Sequence, residues 1–499
     1  MPSSSEPASP IPRRSWWIAA LIFLLSLLVY TSLSGDRVLQ ASPHNHFVYL
    51  ADSYLHGTTK MRVDPPHRND WASYERLTLA SGQELVGTWL PQHTRRFRTL
   101  DGQHYAIGHD EYAGRIDDIP PRCRHDLPTP EERVRPEDRR CSERYVSFPP
   151  GPAVLMMPGV ALFGMAFNDV LFTLLFAAGS AASIFLLLDR MRREETVSLR
   201  EADVYWLTAF FAFGTCAAWC SVFGQVWFTA MVVGTFFSIW FVYFSLDLRA
   251  PFWAGLMLGC AFAARTPYVF AAVFMAWMMF FPGGSWRRWD RRLLRDVALF
   301  GAAPTVIGLL LMAQNYVRFG SMTEFGHSYL SHGQNLLIAQ YGLFNVYFAS
   351  LNLGAMLAAL PQFLPHEPYV VISRHGLALW FSMPAMLWAV WPRPSGMLES
   401  PFAARARSLR MACGLAIAVI AVTHIFYHNT GWVQFSYRFA MDYLVFLVLL
   451  IACSGHRLGW FFRSAVLLSI GINIFGAVTF GRFGAHYAAW FFEALQTAP

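Results

Sequence analysis

Apolar runs of membrane-crossing length dominate the hydropathy pattern. Residues 16–34, 170–188, 204–222, 227–246 and 409–426 each have the roughly 17–25 residues that a helix needs to cross the hydrocarbon layer. Short arginine-rich connections separate many of them, including Arg190-Met191-Arg192-Arg193, Arg287-Arg288 and Arg291-Arg292. Short basic loops face the cytoplasm by the positive-inside rule. Applied along the chain, that rule predicts an all-α polytopic protein of about eleven transmembrane helices (9–13) with a large external first loop carrying amphipathic surface helices.

The predicted order starts with a cytoplasmic N-terminus over 1–15 and a first span over 16–34, retained rather than cleaved. An external loop with interfacial helices follows over 35–168, and then a group of spans over 169–317. Within that group the apolar stretch 251–281 is interrupted by Arg265-Thr266-Pro267. An arginine at mid-membrane costs at least about 2.5–3.5 kcal/mol. Two short helices whose tips meet at Arg265 near the outer face avoid that cost. A second external segment occupies 318–376. Its apolar part, broken by Asn345, Asn352 and Pro361, reads as interfacial or re-entrant. The last spans and an external C-terminus fill 377–499.

Composition agrees with this pattern. The chain is 55% hydrophobic and 14% charged, against about 25% charged in an ordinary soluble domain. Its net charge of +7 is almost all arginine, Lys60 being the only lysine. The clustering of that charge between apolar runs excludes the nucleic-acid reading that a basic protein otherwise invites. Of seven cysteines, Cys216, Cys220, Cys260, Cys413 and Cys453 lie in apolar runs and read as small buried side chains. Cys123 and Cys141 lie in the polar loop, where an oxidising compartment would permit a disulfide between them. Neither CxxC nor HExxH spacing occurs, and no nucleotide-binding loop argues for an ATP-driven pump.

The unusual residues gather on the predicted outer side. At the head of the large loop, Phe47, Leu50, Ala51, Tyr54 and Leu55 recur at helical spacing and predict an amphipathic helix on the membrane surface. Further along come Asn69-Asp70-Trp71-Ala72 and the turn Tyr145-Val146-Ser147-Phe148-Pro149-Pro150. After that turn, 153–164 is apolar but too short to span comfortably. The run 120–143, rich in Arg, Asp and Glu, reads as a solvated insert.

Four segments carry a resemblance: PPGPAVLMMPGVALFG (149–164), GLMLGCAFAARTP (255–267), NYVRFGSMTEFG (315–326) and GWVQFSYRFAMDY (431–443). Together with the loop after the first span, they resemble the GT-C superfamily of integral membrane glycosyltransferases, such as the protein O-mannosyltransferases and the aminoarabinose transferases. The resemblance covers most of the chain in topology. It implies transfer of a sugar from a polyprenyl-phosphate donor to a lipid, glycan or protein of the cell envelope, at the outer face of the inner membrane. Membrane lipids, the lipid-linked donor and the acceptor would be its partners, nucleic acid would not, and a divalent metal is an open option. Family members place Asp or Glu at the head of the first surface helix. Here the place reads His44-Asn45-His46, with Asp36, Asp52 and Asp70 nearby. Either the base has moved, His46 substitutes for it, or the chain no longer catalyses transfer.

Such a reaction needs a base for the acceptor hydroxyl and cations for the departing phosphate. The candidate bases are Asp70, Asp52 and His46; the candidate donor-phosphate ligands are Arg265, Arg438, Arg318 and His327. Plainer roles stand beside each: a loop carboxylate for Asp70, a polar helix face for Asp52, a hydrogen-bonded interfacial residue for His46, headgroup snorkelling for Arg265. Arg438 and Asp442, four apart, would form an ion pair on an α-helix. A non-catalytic relative that binds a lipid or partner is one alternative. A carrier of lipid-linked material is another, but it calls for repeat symmetry that the sequence lacks.

Overall fold

The computed structural model describes residues 11–67, 70–78, 84–90, 93–100, 102–106, 114–115, 140–282, 285–330, 334–390 and 401–488. Within them, six helical segments are long and apolar enough to cross a membrane: Arg13–Leu39, Asp169–Arg193, Val226–Leu248, Arg291–Phe319, Arg405–Ile425 and Trp460–Thr479. Four further apolar helical segments are shorter, Gly151–Ala166, Pro251–Ala264, Thr266–Phe280 and Val346–Ala358.

Several expected spans are broken. The run 203–223 forms Glu201–Phe213 and a separate turn, Cys216–Cys220, because Thr215 turns its hydroxyl to the Ala217 N–H and starts a new helix. The described part of the expected span near 377–391, residues 377–390, forms only short pieces around Pro384. The run 440–453 is a 3₁₀ turn, Arg438–Tyr443, followed by the helix Leu444–Ala452.

The chain falls into two compact units. The first takes the residues up to Asn45, Ala166–Gly308 and everything from Phe344 onward; the second takes His46–Met165 and Leu309–Leu343.

In the first unit, the helix Asp169–Arg193 starts where the Asn168 side chain accepts from Leu171 N–H at 3.0 Å and ends on Arg190, Arg192 and Arg193. Both features suit its dipole. Its Asp169 receives Ser42 N–H at 2.7 Å and Ser42 Oγ–H at 2.6 Å, which pins the chain leaving the first helix. Glycines permit close helix approach, as in membrane bundles generally. A methyl group at Gly255 would collide with the Phe300 carbonyl, and one at Gly234 with the Tyr268 ring.

The second unit corrects the all-α expectation. The chain is mostly helical, but the stretch expected to be a loop with interfacial helices contains a six-stranded antiparallel sheet in the order β5-β4-β3-β2-β1-β6. Its strands are β1 (Trp71–Thr78), β2 (Glu84–Leu90), β3 (His93–Thr99), β4 (His104–Ala106), β5 (Gly114–Arg115) and β6 (Arg140–Val146). These strands mix charged with aromatic and aliphatic residues, so a hydropathy window averages them to loop values. Trp71, Tyr74, Leu77, Leu85, Phe97 and Tyr145 are buried. The expected helix is present as His46–Leu55, with Phe47, Leu50 and Ala51 buried and Leu55 exposed. Cys123 and most of the 120–143 insert lie outside the described residues, as does the Cys141 side chain.

Candidate functional site

The backbone itself aims Arg265. Pro267 has no N–H for a helical bond and its ring would crowd the Ala263 carbonyl, so the helix Pro251–Ala264 stops short of it. Arg265 takes an extended conformation (φ −159°, ψ 126°) and the chain restarts as a 3₁₀ turn, Thr266–Ala271. The Arg265 side chain therefore leaves the helix axis. Its Nε–H lies 2.7 and 2.8 Å from the two carboxylate oxygens of Asp442. On the other side of that carboxylate, His424 Nε2 lies 2.9 Å from Oδ2. Asp442 is fully buried and His424 nearly so, whereas the Arg265 side chain keeps 16% of its exposure.

Phe439 is the hub of the cluster. The Arg265 guanidinium lies 5.1 Å from its ring centre, the Arg438 guanidinium 5.8 Å, and the His424 ring is stacked at 4.9 Å. The two guanidinium distances are cation–π distances. The Arg438 guanidinium also lies 5.2 Å from the Phe228 ring. The expected facing of Arg438 and Asp442 presumed an α-helix. The segment is 3₁₀, with three residues per turn, so residues three apart eclipse rather than those four apart. The Asp442 carboxylate is accordingly engaged by Arg265 and His424.

The geometry leaves Arg265 with ligand capacity. Its Nε holds Asp442, while its two Nη groups make no hydrogen bond among the described residues. A guanidinium fixed through one edge and open at the other matches two oxygens of a phosphate or carboxylate. The backbone before Arg438 is held by Gln434, which is fully buried. Its Oε1 accepts from Arg438 N–H at 2.9 Å, and its amide donates at 2.7 Å to the carbonyls of His375 and Thr430.

The remaining candidates belong to the second unit. His46 is buried and stacked on Trp71, with ring centres 3.6 Å apart and 5° between planes; His67 lies 5.8 Å from the His46 ring. The Asp52 carboxylate is 3.3 Å from Arg62 Nη1 and 3.5 Å from His56 Nδ1. Asp70 heads β1 in the left-handed region (φ 56°), and its carbonyl accepts from Ser147 Oγ–H at 3.3 Å. Arg318 is buried: one Nη donates to the Val146 carbonyl of β6, the other to Asn315 Oδ1 at 2.6 Å. Tyr74 OH donates to the Arg318 carbonyl at 2.9 Å. His327 opens the 3₁₀ turn His327–Tyr329. The sheet is also tied by Glu143, which accepts from Lys60 Nζ at 3.0 Å and Tyr145 OH at 2.9 Å. Burial alone would raise the Glu143 carboxyl, but these donors outweigh it and hold it below the usual carboxylate range.

Arg265 and Arg438 therefore come together in the first unit, while His46, Asp52, Asp70, Arg318 and His327 are distributed through the second. Sequence reasoning missed His424 and Gln434. The signal for His424 was present, since an ionisable residue near the end of an apolar run marks a functional position by default. Nothing in the pattern marked Gln434. Among the described residues, no group of three or more His, Cys, Asp and Glu is placed to hold a metal ion.

No protein-family model matches the sequence, and no curated protein does. Among solved structures, the chain is similar to the Archaeoglobus fulgidus oligosaccharyltransferase tethered to an acceptor peptide containing the NVT sequon. The TM-score is 0.41, the identity 12%, and 95% of this chain is covered. The chain spans 56% of the length of that protein. A likeness of this size carries no weight for activity.

Proposed function

We propose that this chain is a membrane glycosyltransferase of the GT-C type. It moves a sugar from a polyprenyl-phosphate donor to a lipid, glycan or protein acceptor at the outer face of the inner membrane. In this reading the N-terminus is cytoplasmic, about eleven segments cross or enter the bilayer, and the loop after the first span is external. The observation that carries the proposal is Arg265. Its guanidinium is held by a buried carboxylate and packed beside a second arginine on one aromatic ring, and neither of its Nη groups makes a hydrogen bond among the described residues. Sequence motifs of the GT-C kind at 255–267 and 431–443 contain these residues.

In the proposed reaction a base removes the acceptor hydroxyl proton as the oxygen attacks the anomeric carbon. The bond from that carbon to the phosphate oxygen breaks, and its electron pair leaves with the phosphate, whose growing charge Arg265 and Arg438 stabilise. We assign the base to Asp70, the loop acid immediately before β1. Asp52 is second, being occupied by Arg62 and His56. His46, buried in its stack on Trp71, is third. Arg318 receives a structural role because its guanidinium is bonded to Val146 and Asn315.

A comparison of envelope glycans and lipids tests the proposal, using a deletion strain and strains restored with wild type, Asp70→Asn, Arg265→Ala or Arg438→Ala. The deletion is expected to lose a glycan or a sugar-modified lipid that wild type restores and the variants do not. An unchanged envelope in the deletion strain removes the enzyme reading; full rescue by all three variants removes the site assignment.

A further inference from the structure

We infer that the turn carrying Trp432 is a sugar-binding platform; the inference rests on the transferase reading above and names a subsite for the glycan rather than for the phosphate. The turn is built to hold one aromatic ring at the surface. Asn429 Oδ1 accepts from both Gly431 N–H (2.8 Å) and Trp432 N–H (3.0 Å), which closes a side-chain turn. Gln434, wholly buried, bonds the His375 and Thr430 carbonyls, and its own N–H donates to the Arg374 carbonyl at 3.1 Å. Leu377 N–H donates to the Phe435 carbonyl at 3.0 Å, and Tyr437 N–H to that of Leu377 at 3.1 Å, so two strand-like stretches are stitched side by side.

Trp432 stands on this frame with 39% of its surface exposed. The His375 ring supports it at 4.9 Å, and the exposed Arg374 guanidinium lies 6.0 Å from its ring centre. A large aromatic face, rigidly backed and edged by a cation, is the arrangement that accepts the apolar C–H face of a pyranose while the rim bonds its hydroxyls or an acidic substituent. An interfacial belt tryptophan also sits half-exposed. However, such an anchor needs neither a buried glutamine with three backbone bonds nor an arginine over its ring. The same turn leads directly into Arg438 and Asp442, six and ten residues on, so a sugar on Trp432 belongs to the same structural element as the proposed phosphate ligands.

Saturation-transfer NMR on the detergent-purified full chain tests this with a panel of methyl pyranosides, including N-acetylated and uronic acid members. Wild type is expected to transfer saturation to the ring protons of at least one glycoside. Trp432→Ala should weaken that binding by about tenfold, and Trp432→Phe, which keeps an aromatic face, by less. Arg374→Ala should weaken the uronic acid selectively. Thermal unfolding of each variant separates loss of binding from loss of fold, and Trp432→Phe keeps the test decisive if the alanine variant unfolds. No saturation with any glycoside, or equal saturation in wild type and both Trp432 variants, overturns the platform and leaves Trp432 as a membrane anchor. Full envelope rescue by Trp432→Ala in the deletion strain overturns the platform while leaving the transferase reading intact. An unaltered envelope in the deletion strain defeats that reading instead.

Discussion

Arg265 and Arg318 invite comparison because they share so much. Each is a poorly exposed arginine beside the C-terminal end of an apolar helix, each packs its guanidinium on a phenylalanine ring, and each was a candidate phosphate ligand. They differ in which nitrogens are in use. Arg318 bonds through its Nη groups, to the Val146 carbonyl and to Asn315, and so ties a helix end to a sheet edge. Arg265 bonds through Nε to a buried carboxylate, and its Nη groups make no hydrogen bond among the described residues. The edge of the fork that the protein itself occupies separates an arginine that holds the fold from one equipped to hold a ligand.

The largest effect expected from disturbing this comparison comes from Asp442. Asp442→Ala leaves Arg265 and His424 without their shared anion. Removal of one partner from a buried pair costs about 3–5 kcal/mol. Thermal unfolding in detergent should register it, and binding of a polyprenyl monophosphate to the purified chain should fall with it. An unchanged melting temperature would mean that the carboxylate does not hold Arg265.

Next in size is a pH effect at His375, whose carbonyl accepts from the Gln434 side chain that braces Arg438. Burial lowers this imidazole from 6.5 to about 4. The folded chain thus holds it neutral where the unfolded chain would charge it. That contribution is complete above pH 6.5 and is lost as pH falls from there towards 4, reaching roughly 3 kcal/mol at the acid end. Stability measured across that window should fall more steeply in wild type than in His375→Gln. Equal slopes would show that His375 is solvated in the folded state.

Arg318→Ala removes donors from a buried carbonyl and amide and should cost roughly 2 kcal/mol, while the affinity for polyprenyl monophosphate stays unchanged. A loss of affinity without a loss of stability would reverse its assignment and place it with Arg265. The smallest effect on the fold is expected from Arg265→Lys. It keeps the charge near Asp442 but loses the open fork, so stability should move by less than about 1 kcal/mol while phosphate affinity falls about tenfold. Undiminished affinity in the lysine variant would show that charge alone is recognised there.

The break at Arg265 was legible because an arginine in the middle of an apolar run is costly in lipid and Pro267 removes a helical N–H two places on. The helix at 46–55 was legible for a similar reason, its apolar positions following the helical period. The sheet was not, because β1 and β6 scatter a few apolar residues without strict alternation among arginines and glutamates, a signal that long windows erase. The partner of Asp442 was also out of reach. Arg265 stands 177 positions away in sequence, and local spacing pointed to Arg438 instead.

By itself, the sequence determined that this chain has helices fit for lipid, that the run 251–281 is interrupted at Arg265, and that a charged residue stands at that interruption. Each of these follows from the solvation cost of a residue and the geometry of its immediate neighbours. Tertiary structure alone decided that Arg265 and His424 engage Asp442, that Gln434 braces the approach to Arg438, and that Arg318 is committed to Val146. Hydrogen bonds and ion pairs between distant segments depend on which backbones and side chains the packed core brings within 3 Å or so of one another, and no local pattern encodes that distance.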